Sequence, residues 1–277
     1  MLQDKVLITG TTGMLGRHFL EVFKNKYNNV FTLNRENGDL LDFNFVSDFL
    51  KSIEPDIIIH CIADTNLDRC EANQDETLLL HCGLTNCLSS YKSKFIYIST
   101  DSVIKPVNFY SKSKYLGEEI SFLNNKHSMI VRTNIYGFNS SSGNSLAEWA
   151  LDEFKNNKKI IGYSDIVFNA VYTRQLVNSV YRLINSKCAG YINVGGNYSI
   201  SKFDFLKKLC KTFGYDTNLV VEGKILNNGK VHRLNDTTLN INPLKKNYGI
   251  SLNLDTGLKQ FKKDKTALNK IQSALLE

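Results

Sequence analysis

Three side chains in the first half of the sequence have the types and spacing for carbonyl reduction: Thr100, Tyr110 and Lys114. Tyr110 and Lys114 are separated by one helical turn, so a helix carries them on one face. An ammonium beside a phenol favours the phenolate, lowers the phenol pKa toward working pH and makes Tyr110 a usable proton donor. Lys114 can also hold a nicotinamide ribose. The Thr100 hydroxyl, just past an apolar run, can hydrogen-bond a carbonyl oxygen that becomes charged as hydride arrives.

Tyr-x-x-x-Lys is a loose pattern, and among 13 tyrosines it recurs at Tyr198 and Lys202. There Ser201 reads as a helix cap and no hydroxyl-bearing strand end precedes it, so that pair is read as accidental. Tyr110 and Lys114 follow Ser99-Thr100 at the end of the strand 95–98.

A hydride chemistry needs a dinucleotide, and the segment Thr9-Gly10-Thr11-Thr12-Gly13-Met14-Leu15-Gly16 fits one. It lies between a first strand and a first helix. Glycines let the backbone approach a pyrophosphate, and the helix start offers N–H groups and a positive dipole end. A tight turn with close helix packing and no ligand would share the spacing. The second strand ends in Leu33-Asn34-Arg35, without the acidic residue that would bind a ribose 2′-hydroxyl. Arg35 is placed to pair with a 2′-phosphate, with Arg17 as a second candidate, so NADP(H) is favoured over NAD(H). Asp39-Leu40 lies close enough to meet the adenine edge.

These groups need a scaffold, and the first half supplies an alternating one. Apolar strands at 6–8, 30–33, 57–61 and 95–98 alternate with helices at 14–26, 45–53 and 78–88. Unbroken apolar strands with intervening helices predict an α/β, Rossmann-like doubly wound parallel sheet. Further strands are expected at 130–132 and 191–194, and a helix from 146 to 156. Thr173 is expected to cap a helix running to Ile184, and Ser201 with Asp204 to open one ending at Gly214. Residues 1–137, with 170–195 returning, form the dinucleotide domain in this reading, and 138–169 with 196–250 form a smaller C-terminal substrate lobe. Ser140 to Gly143 reads as a loop. Residues 251–277 form a closing helix whose Leu268, Ile271, Leu275 and Leu276 dock on its own domain.

Composition sets the outer bounds. With 277 residues, 42% of them hydrophobic and 22% charged, the chain is ordinary globular protein. A net charge of +7 suits small anions, and no basic run interleaved with aromatics argues for nucleic acid. No apolar stretch is long enough to cross a membrane, and Met1 to Lys5 carries no leader pattern, so a cytoplasmic protein with reduced thiols is expected. Six cysteines without CxxC spacing, and histidines without ligand spacing, predict no metal site. Trp149 is expected to pack in the lobe.

Taken in order, the blocks Thr9–Gly16, Asp39–Asp42, Pro55–Ala63, Asp68–Glu71, Ser99–Val103, Pro106–Lys114, Gly117-Glu118, Arg132-Thr133 with Tyr136-Gly137, and Arg233–Leu239 resemble the extended short-chain dehydrogenase/reductases. The likeness is to the dTDP-4-dehydrorhamnose reductase branch and spans nearly the whole chain. It implies a dinucleotide-binding domain, a lobe for a nucleotide-diphosphate sugar, and reduction of a 4-keto group by Thr100, Tyr110 and Lys114. It further implies that Cys61, Ile62 and Ala63 line the cofactor. Thr100, Asp101, Ser102, Asn134 and Arg233 would meet the substrate, Arg233 at its diphosphate, and a homodimer is compatible with the family.

The chain departs from the family's pattern in places. Only Lys105 separates Ile104 from Pro106, where a longer loop is usual. Ser102 and Asp64 stand for tyrosines, Asn134-Ile135 follows Arg-Thr where a tryptophan is common, and His60-Cys61 replaces Asn-Ala. Two alternatives follow: an epimerase or dehydratase that retains NAD, with Asp101 beside Thr100, or a non-catalytic dinucleotide-binding subunit.

Overall fold

Val6, Leu7 and Ile8 are wholly buried, as are Ile58, Ile59 and Phe95 to Tyr97. Strands buried on both faces need helices on both faces. The computed structural model, which describes residues 2–139, 145–225 and 231–274, has that layering. The expected loop at 140–143 lies outside the described residues.

The chain runs β1 (Leu2–Thr9), α1 (Met14–Lys24), β2 (Tyr27–Leu33), α2 (Phe43–Ile53), β3 (Ile57–His60), α3 (Leu67–Ala72) and α4 (Gln74–Leu78). A π-helical turn over Leu79–Gly83 leads into α5 (Leu84–Ser89), then β4 (Lys94–Thr100), α6 (Phe109–Asn124) and β5 (Met129–Thr133). Next come β6 (Ile135–Tyr136), α7 (Leu146–Lys155), β7 (Ile160–Tyr163), β8 (Val167–Phe168), β9 (Val171–Tyr172), α8 (Thr173–Asn185) and β10 (Gly190–Val194). The chain closes with β11 (Ile200–Ser201), α9 (Lys202–Phe213), β12 (Val220–Gly223), α10 (Asn242–Tyr248) and α11 (Leu254–Ala274).

Six strands form one parallel sheet in the order β10-β5-β4-β3-β1-β2. After β2 the chain crosses back to place β3 on the other side of β1. That reversal opens a crevice at the strand ends between β1 and β3, where doubly wound sheets bind ligands. Register puts Thr9 opposite His60 and Thr100 opposite Thr133.

One face is covered by α1 and α8 through Leu15, Phe19, Phe23, Leu176, Val177 and Val180. The other is covered by α2 and α5 through Val46, Leu50, Leu84 and Leu88. A separate core gathers α7, α9 and α11 around Phe154, Phe205 and Phe261. The short ladders β6–β9, β7–β12 and β8–β11 attach to it, and periodicity did not reveal them. Leu268 packs there as expected; the side chains of Ile271, Leu275 and Leu276 lie outside the described residues.

Local signals explain most boundaries. Asp42 caps α2, Asn108 caps α6, Ser145 caps α7 and Ser201 caps α9, each accepting a first-turn N–H. Gly214, at φ +87°, ends α9.

Three expectations differ. The helix at 78–88 is interrupted by the π turn. Thr173 is the first residue of α8 rather than its cap, and its buried hydroxyl has no hydrogen-bond partner among the described residues. Trp149 is 41% exposed, because Ala147, Ala150, Leu151 and Phe154 form the buried stripe of α7 and position 149 falls off it. All six cysteines are free; Cys70, Cys188 and Cys210 are buried and the rest half-buried. No helix among the described residues is long and apolar enough to cross a membrane.

Candidate active site

The glycine turn connects β1 to α1 at the crevice. Gly10 holds φ +71°, and a Cβ on Gly16 would sit 2.2 Å from the Gly10 carbonyl oxygen, so neither position takes a side chain without strain. Gly13 at the start of α1 brings no capping side chain, and the first turn has no acidic residue. The leading N–H groups of the helix, from Met14, Leu15 and Gly16, are left for an anion. Thr12 completes the turn and is exposed.

Asn34 occupies the strand end where an acid would select a ribose hydroxyl. It is buried, accepts the Thr11 N–H on Oδ1 at 2.7 Å and donates from Nδ2 to Thr11 Oγ1 at 2.8 Å. Its amide therefore fastens the glycine turn. Arg35, next along, is exposed and pairs with no carboxylate among the described residues. Arg17 is committed elsewhere, donating to the Phe138 carbonyl at 3.0 Å with its guanidinium over the Phe138 ring. Asp39 spends Oδ1 on the Leu41 N–H, and Leu40 is buried beneath it.

Past β3, Cys61 and Ile62 press against the glycine turn: a Cβ on Gly10 would lie 3.0 Å from Ile62 Cγ1 and 3.4 Å from the Cys61 carbonyl carbon. Ala63 continues that wall. The turn, its amide brace and this wall form a cradle that fits a dinucleotide.

Tyr110 and Lys114 lie in the first turns of α6, as the spacing requires. Lys114 is buried; Nζ donates to the Ile98 carbonyl at 2.9 Å and stands 4.0 Å above the Tyr97 ring centre. Burial lowers its pKa to about 8. Burial also raises the Tyr110 phenol, against a smaller opposite pull from the Thr100 hydroxyl. The expected lowering of the phenol by the ammonium is therefore not the dominant effect in this chain. No hydrogen bond joins the two side chains, and desolvation is the largest influence on each.

Tyr110 opens into a cleft of about 450 Å³. Thr100, Asp101, Ser102, Asn134 and Arg233 line the same cleft, so all five expected substrate residues converge with the phenol. Thr100 Oγ1 donates to Asp101 Oδ1 at 3.0 Å, and Asn134 Nδ2 donates to Asp101 Oδ2 at 2.6 Å. Burial raises the Asp101 carboxyl above the usual range.

Sequence reasoning missed Lys202. Tyr198 is turned toward Asp255, so the second Tyr-x-x-x-Lys is no working pair, but Lys202 itself lines the cleft. Burial and the neighbouring Arg233 charge lower its pKa. A signal was available: a lysine at the first position of a helix opposes the dipole, a local cost that suggests another use. Tyr163 and Phe168 also line the cleft, from lobe segments that carry no motif, and Thr237 does so from the Arg233–Leu239 block. Gly117-Glu118 and Arg132-Thr133 prove to be structural neighbours. Buried Glu118 pairs with Arg132 at 2.6 Å and accepts from Ser99, locking α6 to β4 and β5.

Comparison with known proteins places the chain in a family by sequence and fold. The family model for the RmlD substrate binding domain matches residues 4–266. A spore coat polysaccharide biosynthesis protein, SpsK of Bacillus subtilis (strain 168), is 27% identical over 236 residues, covering 78% of this chain and 82% of its own. Methionine adenosyltransferase 2 subunit beta of Bos taurus is 26% identical over 242 residues, 76% of this chain and 72% of that one. The crystal structure of dTDP-4-dehydrorhamnose reductase from Bacillus anthracis str. Ames in complex with NADP superposes with a TM-score of 0.87 at 25% identity, covering 95% of this chain and all of that one. With the glycine cradle, the Tyr110–Lys114 helix and a matched family model over nearly its whole length, the chain belongs to the dTDP-4-dehydrorhamnose reductase-like branch of the extended short-chain dehydrogenase/reductases.

Proposed function

We propose that the protein reduces the 4-keto group of a nucleotide-diphosphate sugar, of the 6-deoxy kind, using NADPH. Gly10, Thr12, Gly13, Met14, Leu15 and Gly16 would cradle the pyrophosphate, Arg35 the 2′-phosphate, Asp39 and Leu40 the adenine, and Cys61 to Ala63 the inner wall. Bound there, the dinucleotide supplies the hydride. The Thr100 hydroxyl would turn from Asp101 to donate a hydrogen bond to the keto oxygen, and Tyr110 gives that oxygen the proton. Lys114 holds its charge beside the nicotinamide ribose.

The observation that carries this reading is the composition of one cleft. A phenol and a threonine hydroxyl from the sheet side face Lys202 and Arg233 from the lobe side. Two cations opposite a proton donor suit a diphosphate tethered to a carbonyl. Rates of NADPH oxidation with a panel of keto-sugar nucleotides test it. Tyr110→Phe should lose turnover by about 10²- to 10⁴-fold while NADPH still binds. NADPH binding with no turnover of any panel member would overturn the reading.

Asp101 supports a second reading. Its raised, buried carboxyl beside Thr100 could act as an acid in a dehydratase or epimerase that keeps its NAD. Dinucleotide that co-purifies and is not consumed stoichiometrically would favour it.

A further inference from the structure

Two buried histidines, His60 and His81, take no part in the chemistry above, yet all four of their ring nitrogens are hydrogen-bonded. The partners fix the direction of every bond. The Asp64 N–H donates to His81 Nε2 at 2.9 Å, so that nitrogen is bare and Nδ1 carries the proton, donating to Ser113 Oγ at 2.8 Å. Ser113 Oγ in turn donates to the Tyr110 carbonyl at 3.0 Å.

A second chain begins at the cofactor wall. The Cys61 N–H donates to Thr9 Oγ1 at 3.1 Å, and Thr9 passes its proton toward His60 Nδ1 at 2.9 Å. His60 Nε2 donates to Thr85 Oγ1 at 3.2 Å, and Thr85 donates to the His81 carbonyl at 2.6 Å. Both chains meet at His81, in the π-helical turn that breaks the expected helix. That turn is the local departure from α geometry that brings the His81 ring to α6, where it also packs edge-on against Tyr110.

We infer that His60 and His81 are positioning residues: their network ties the end of β1, the 61–64 wall and the π turn to the first turn of α6, and so sets where Tyr110 and Lys114 stand relative to the dinucleotide. This rests on the reading of Tyr110 and Lys114 given above. One proton per link means that the network works in one tautomeric state only: His81 protonated on Nδ1, His60 on Nε2. Reversing either ring breaks a link on each side of it, and protonating one breaks the link at the nitrogen that must stay bare. Burial and the Lys114 ammonium both hold the rings neutral, and they place His81 at about 3; the nearby Asp64 carboxylate pulls His81 the other way, more weakly.

Imidazole ¹⁵N-labelled wild-type protein reports both tautomers directly by long-range ¹H–¹⁵N NMR. The result expected is Nδ1–H on His81, Nε2–H on His60 and no titration of either ring down to about pH 5. An opposite tautomer, or titration near the ordinary histidine value, overturns the network whether or not a substrate has been found. In kinetics, His81→Phe should lower kcat by about 10- to 100-fold with little change in the sugar KM, as a displaced reacting group does. His81→Asn, whose amide can still donate to Ser113, should recover part of that loss. His60→Phe should add at most about threefold to it, because a chain already cut loses little more. Fully multiplicative losses, or no rescue by asparagine, would show two independent packing residues instead. A wild-type enzyme that turns over no keto sugar sinks the reductase reading alone, and the NMR result then judges the network.

Discussion

On the cofactor side of the site, raising the pH perturbs Lys114, because burial has moved its pKa down to about 8. At that value about nine in ten Lys114 side chains are charged at pH 7 and about one in ten at pH 9. An ammonium needed beside the nicotinamide ribose therefore makes kcat/KM for NADPH fall about tenfold between those two pH values. Tyr110 moves the opposite way: burial raises its pKa, so the phenol keeps its proton and adds no second limb over the range. Initial rates at limiting NADPH and saturating keto sugar, at constant ionic strength, measure the profile. Lys114→Arg keeps its charge at all these pH values and should show no limb near 8, whatever its absolute rate. A profile flat to about pH 9.5, or a limb unchanged in the arginine variant, would refute the reasoning. The same burial has a stability consequence. From about pH 8 to 10.5 the unfolded chain holds a proton on Lys114 that the folded chain has released, so stability rises with pH by at most about 3 kcal/mol. Urea melts at pH 8 and just below 10, before the buried tyrosines begin to oppose it, read that rise.

Three further outcomes follow from single contacts. Gly16→Ala puts a Cβ 2.2 Å from the Gly10 oxygen, so the turn must open and NADPH affinity by calorimetry should fall by at least about 100-fold. Arg35→Ala removes an exposed guanidinium from the strand end and should weaken NADPH about tenfold while leaving NADH unchanged; equal effects on both would rule out a 2′-phosphate contact. Glu118→Ala leaves the partly exposed Arg132 guanidinium without its carboxylate and should cost about 1–3 kcal/mol in urea melts, with a matching drop in Tm.

Much of the scaffold is written locally. β1, β3 and β4 are short apolar runs that no solvated element could carry, and Asp42, Asn108 and Ser201 announce the helices they cap. The glycine turn is legible for the same reason: only glycine takes φ +71° at position 10 or the close approach at position 16. The ladders of the lobe are not legible, since two-residue strands have too few positions to show a period. Nor is the π turn, whose residues Leu79 to Gly83 carry an ordinary helical pattern.

The sequence by itself determined the doubly wound sheet, the dinucleotide cradle and the pairing of Tyr110 with Lys114, because each depends on neighbours a few residues apart. Only the tertiary structure decided what surrounds them. It brought Lys202 and Arg233 to the phenol across the cleft, and it set Lys114 apart from Tyr110 under the Ile98 carbonyl. It also joined His60 and His81 into one directed network. Those arrangements arise from strand order and burial, which convert residues distant along the chain into neighbours and move their proton affinities by desolvation; no local pattern carries that information.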